Sequence, residues 1–177
     1  MVKDLERKIL NIATDYLDKQ GHKVEVRVFK SNIKARAGVE KYDDDRYHIQ
    51  INEDALLSSF EGYTIEEYEE KVCQDLVDTV LHECCHIICM EQNLGYHDGD
   101  YDFEKMLYDK YINSNYHRYP YAKTMQEQNK GDKENIKKLS KILNITRNEL
   151  YDYLENREEN FIEEYTQYTK QIWEIFE

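Results

Sequence analysis

Asp78-Thr79-Val80-Leu81-His82-Glu83-Cys84-Cys85-His86 lies inside a run from Glu66 to Leu94 that contains neither proline nor glycine. Nothing in that run opposes a helix. On a helix, residues four apart sit about 40° apart on one face, so His82 and His86 can reach a single ion while Glu83 stands beside them. This is the HExxH arrangement of zinc sites. Val72, Cys73, Leu76, Val77, Val80, Leu81, Cys84, Ile87 and Ile88 occupy the face roughly opposite the histidines. That pattern predicts a helix packed on a core by its back, with its polar face turned into a cleft.

The chain around this run is long enough, at 177 residues, for one domain with a proper core or for a domain and a small appendage. Charged residues make up 34% of it and hydrophobic ones 40%, which suits a water-exposed surface over a thin core. The mean hydropathy of -0.90 points the same way. No apolar stretch approaches the roughly 20 residues needed to cross a bilayer. The start, Met1-Val2-Lys3-Asp4-Leu5-Glu6, is charged and lacks the apolar region of a signal peptide, so the expected location is the cytoplasm. A formal net charge of -13 is repelled by phosphate backbones, which disfavours nucleic acid as a partner and leaves protein as the expected one. All four cysteines, Cys73, Cys84, Cys85 and Cys89, fall on the one helix, where mutual disulfides are geometrically poor. Buried, reduced thiols are expected, with Cys85 a remote candidate for the metal.

Working outward, residues 2–19 place Val2, Leu5, Ile9, Ile12 and Tyr16 at helical spacing, with a stop near Gly21. Residues 22–29, 33–39 and 47–52 read as strands, two of them alternating apolar with polar, and Gly38 marks a bulge or close approach in the second. Short connections suggest a three-stranded antiparallel meander. Thr64-Ile65-Glu66-Glu67 resembles a capping box opening the long helix, and Asn93-Leu94-Gly95 a stop closing it. A loop, Tyr96 to Asp100, leads to a helix with Phe103, Met106, Leu107 and Tyr111 as its stripe. Residues 123–133 are polar and read as part of a linker. Ile136 to Leu143 and Leu150 to Leu154 form short helices around a turn at Asn144-Ile145-Thr146, and a last helix carries Phe161, Tyr165, Tyr168, Ile172 and Ile175. The expected division is a domain over 1–120, a linker over 121–133 and a helical extension over 134–177.

Two histidines leave a catalytic zinc site one protein ligand short. The loop and helix that follow offer His97, Asp98, Asp100, Asp102 and Glu104. His97 is the expected third ligand, because it follows Gly95 in a loop able to fold back and a neutral imidazole suits zinc. Zinc held there brings the pKa of water toward about 7 and polarises a carbonyl, while Glu83 is expected to take the proton and pass it to a leaving amine. Tyr96, Tyr101, Tyr116 and Tyr119 are candidate donors to the oxyanion. Asp75 and Thr79 share the histidine face and are candidates to orient a ligand.

The strand order around Ala35-Arg36-Ala37-Gly38-Val39 and Tyr47-His48-Ile49-Gln50-Ile51-Asn52, followed by Asp78 to His86 and then His97, Gly99, Phe103 and Met106, resembles the SprT-like metallopeptidase domain over about residues 1 to 115. The resemblance implies a zincin-like α+β fold, Zn2+ bound by His82, His86 and His97, and Glu83 as the catalytic base of an endopeptidase. It departs from that family in a longer interval between His97 and Phe103 and in lacking a following cysteine-rich ribbon. A regulatory peptidase of the ImmA/IrrE kind is the alternative, with an acidic third ligand such as Asp98, Asp102 or Glu104. A third reading is a non-catalytic adaptor whose zinc only staples the fold. Lys138 to Leu154 looks like a helix-turn-helix core. However, residues 132–177 carry 7 Lys and Arg against 11 Asp and Glu, so a protein-binding or stabilising role is preferred over DNA.

Overall fold

Asp78 to His86 lies within one helix, Ile65–Glu91, most of whose residues from Val72 to Cys89 are buried. The computed structural model describes residues 2–54, 65–117 and 125–175. Among them lie α1 (Val2–Lys19), β1 (Glu25–Lys30), β2 (Ala37–Asp43), β3 (Arg46–Ile51), α2 (Ile65–Glu91), α3 (Tyr101–Asp109), α4 (Met125–Leu143) and α5 (Arg147–Trp173). The fold is α+β. From Leu76 to Cys85 every residue of α2 is buried, including the polar Asp78, Thr79, His82 and Glu83. A helix apolar on one face alone would leave the other wet. This one is enclosed because α1, α3, α5 and β2 all pack on it.

The strands form a mixed sheet in the order β1-β3-β2. β1 runs parallel to β3, with Val26 opposite Tyr47 and Val28 opposite Ile49, and β2 pairs antiparallel on the other side, with Val39 opposite Ile49. The expected antiparallel meander is therefore corrected. Alternation of apolar residues fixes which side chains face inward, and it says nothing about which strand lies next to which. The chain leaving β1 crosses the end of β3 instead of turning back at once. Asn52 holds the crossing, its side-chain amide donating to the Ile33 carbonyl (2.7 Å) and its backbone N–H to the Arg36 carbonyl (2.9 Å). Residues 33–36 are used in that crossing, so the second strand begins at Ala37 and not at Ile33. Its irregularity falls between Lys41 and Asp43, not at Gly38.

α5 contributes Phe161, Tyr165, Tyr168 and Ile172 to the same core as Ile9 and Ile12 of α1, Tyr47 and Ile49 of β3, and the apolar residues of α2. α4 and the start of α5 build a smaller cluster from Ile136, Leu139, Leu143 and Leu150. Thr146 caps α5: its hydroxyl accepts the Glu149 N–H, and the Glu149 carboxylate accepts the Thr146 N–H in return. The polar stretch expected as a linker is helical from Met125 onward. Thr64, Tyr119 and residues 121–124 lie outside the described residues. No described helix is long and apolar enough to cross a membrane.

Since Phe161 is 2% exposed, Phe161→Ala should cost about 3–5 kcal/mol in urea unfolding. Tyr151→Ala on the outer side of the same helix, 45% exposed, should cost no more than about 0.5 kcal/mol.

Candidate metal centre

One turn of α2 separates His82 from His86, and their rings meet edge to face with centroids 5.1 Å apart. Each ring is fixed through its Nδ1. His82 Nδ1 lies 2.7 Å from the Asn113 carbonyl and His86 Nδ1 2.5 Å from the Tyr96 carbonyl. A carbonyl oxygen only accepts, so each Nδ1 must carry the proton, and each neutral ring then turns the lone pair of Nε2 the other way. Both Nε2 atoms point to Asp98, whose Oδ1 is 3.3 Å from His82 Nε2 and 4.0 Å from His86 Nε2. Ligand atoms of His82, Glu83 and His86 lie within 4.8 Å of one another. Two imidazole lone pairs and the Asp98 carboxylate, with Glu83 beside them, form a donor set suited to a divalent ion of the zinc type.

Phe103 of α3 completes the seating. Its ring stacks on His86 at 3.9 Å and 11° and meets His82 edge-on at 5.2 Å, and it is fully buried. The loop before α3 presents Asp98. Gly95 N–H donates to Asp102 Oδ2 (3.2 Å), His97 N–H to Asp100 Oδ2 (3.0 Å) and Gly99 N–H to Glu104 Oε1 (2.9 Å). Three acids expected as alternative ligands are thus occupied in shaping the loop. Gly99 has φ +92°, and a Cβ there would stand 2.7 Å from the Tyr116 hydroxyl, so another residue would be strained in its backbone and would have to push the Tyr116 ring aside.

His97 lines the same cleft, its ring packed at 4.2 Å on Tyr96, and neither it nor Asp98 belongs to the closest group, which is His82, Glu83 and His86. Tyr96 also lines the cleft, whereas Tyr101 is not among its lining residues and Tyr116 lies against Gly99. Of the two residues expected to orient ligands, Asp75 is held by Arg36 through both guanidinium amines, and the buried Thr79 hydroxyl makes no hydrogen bond among the described residues. Asp78, four residues before His82, was not marked as such a residue by the sequence, although an acid inside an apolar run at that spacing was its signal. Its Oδ1 accepts the Asn113 N–H at 2.8 Å.

Charge follows geometry. Burial, with His82 next in effect, brings His86 down to about 4, although the Tyr96 carbonyl and Asp98 act against it, so the ring is neutral near pH 7. Burial raises the Asp98 carboxyl, while a hydrogen bond from Asn115 and, where the imidazoles are protonated, His82 and His86 draw it below its usual value. Glu104 is raised, chiefly by burial. All four thiols are buried and unbridged. Burial pushes Cys85 up to about 12 and Cys89 up to about 11, which keeps them protonated and unsuited to a metal.

The cleft has a volume of about 570 Å³, with Ala37, Gly38 and Val39 of β2 along one wall and the Asn115 side chain among its polar groups. Comparison with protein-family models, with curated proteins and with solved structures gives no match.

In the metal-free protein the unfolded chain takes a proton on His86 near pH 6.5, while the folded ring refuses it until about 4. Stability present above pH 6.5 is therefore lost as pH falls through that window. The urea midpoint should decline less steeply over it in His86→Gln than in the wild type.

Proposed function

We propose that this cleft is the active site of a zinc-dependent peptidase with a zincin-like arrangement. The observation that carries the reading is the Asp98 carboxylate meeting both Nε2 atoms with Glu83 alongside. Zinc bound there would polarise the scissile carbonyl and acidify water. The residues of the chain do the rest. Glu83, 6% exposed and within 4.8 Å of the histidine ligand atoms, takes the proton of the attacking water and delivers it to the leaving nitrogen. Asp98 supplies a negative charge to the metal, and the Asn113 and Tyr96 carbonyls hold the histidines in their ligating tautomer. Tyr96 and Asn115, both lining the cleft, are the groups able to donate to a developing oxyanion.

A peptide substrate is favoured by the wall opposite α2. β2 is an edge strand, paired only with β3 among the described residues, and its backbone runs along the cleft. An extended segment can add to such an edge through main-chain hydrogen bonds. Asp98 as the third ligand favours the kind of peptidase that uses an acid, as expected of ImmA/IrrE, over the histidine that the SprT-like resemblance implied. Nucleic acid is not favoured, since the net charge is -13.

Glu83→Gln should retain zinc and lose roughly 10²- to 10⁴-fold in cleavage of an unstructured protein such as casein. In zinc titrations, Asp98→Ala should lose far more affinity than His97→Ala. Unchanged cleavage by Glu83→Gln would remove the peptidase reading, and the reverse order of affinities would return His97 to the metal.

A further inference from the structure

We infer that Arg157, on α5, is a positioning residue for the metal ligand His82, acting through Asp78 and the Asn113 peptide. The inference rests on the metal site proposed above and deepens it. Asp78 is 2% exposed and stands one turn before His82 on α2. Its Oδ2 accepts a hydrogen bond from Arg157 Nη1 (3.1 Å), and its Oδ1 accepts the Asn113 N–H (2.8 Å). The carbonyl of the same Asn113 then accepts from His82 Nδ1 (2.7 Å). Arg157 therefore reaches a metal ligand through one carboxylate and one residue's backbone.

Arg157 also grips the other end of that short segment. Its Nη1 donates to the Tyr111 carbonyl at 2.6 Å. Tyr111 has φ +59°, a left-handed conformation uncommon for a tyrosine, and it persists only where surrounding contacts hold it. Residues 111–113 leave α3 through this turn, with the Ile112 N–H bonded back to the Leu107 carbonyl (3.0 Å). Holding Tyr111 and Asn113 from one guanidinium fixes where the Asn113 carbonyl stands, and hence which way the His82 ring faces.

A buried ion pair is a poor device for stability alone, because apolar side chains of similar volume often serve as well or better. What an apolar pair cannot do is aim a backbone carbonyl. The same geometry makes α5 part of the site's support, although none of its residues lines the cleft.

The test uses the full chain. Arg157→Met and Arg157→Lys are compared with the wild type and with Ile172→Val, which loosens α5 in the core away from Asp78. Zinc affinity is read by competition with a chromophoric chelator, the ligand field by the visible spectrum of the cobalt-loaded protein, and folding by thermal unfolding without metal. Arg157→Met should bind zinc roughly ten- to a hundredfold more weakly, with an altered cobalt spectrum. Arg157→Lys, which keeps the charge, should fall between it and the wild type. Ile172→Val should lower the unfolding midpoint and leave affinity and spectrum unchanged. Wild-type affinity and spectrum in every Arg157 variant that folds would overturn the inference while leaving the metal site standing. If Arg157→Met does not fold, Arg157→Lys decides. A wild-type protein that binds no zinc would overturn this inference together with the metal site.

Discussion

Two backbone carbonyls govern the centre of this protein. A histidine can ligate through either ring nitrogen, and in an open cleft both tautomers and two ring orientations compete. The carbonyls of Tyr96 and Asn113 accept protons from the Nδ1 atoms and leave a single choice for each ring. The His82 contact is part-buried and the His86 contact lies nearer the surface. Phe103 fills the space against both rings, and the sheet, α1 and α5 close the remaining sides. The buried charge of Asp78 is tolerable in such a place because one oxygen meets the partly buried Arg157 and the other the Asn113 N–H.

Much of this was legible in the residues. The spacing of His82, Glu83 and His86 within a run free of proline and glycine named the helix and the shared face, and the alternation in Tyr47 to Ile51 gave the central strand. Those signals are local, and local periodicity is what a sequence records best. Strand order is a different kind of fact. It depended on Asn52 catching a passing loop, an interaction between residues 19 apart, and the short connections suggested a hairpin where the chain crosses over. The choice of a third donor is a fact of the same kind. His97 and Asp98 are neighbours in one loop and both line the cleft, and how each is turned depends on the Gly99 conformation and on three acids capturing loop N–H groups, contacts that residue spacing does not record. The polar segment at 125–133 is helical without an apolar stripe in its sequence to announce it, although Gln, Glu and Lys favour helix.

The cysteines illustrate how position overrides composition. Four thiols within a few turns of two histidines invite a reading as soft-metal ligands. Burial keeps Cys85 and Cys89 protonated at neutral pH, and Cys84 is raised further still. They act as small apolar residues packed behind the site. The donor set is left with nitrogen and oxygen.

One feature of α3 has a wider bearing. Tyr96 precedes this helix, Asn113 follows it, and Phe103 projects from it against both imidazoles. The helix is therefore a single bracket around both rings. Turning one histidine requires moving the bracket, and the bracket carries the other with it. The two histidines form one mechanical unit, and a displacement of α3 is felt by both rings.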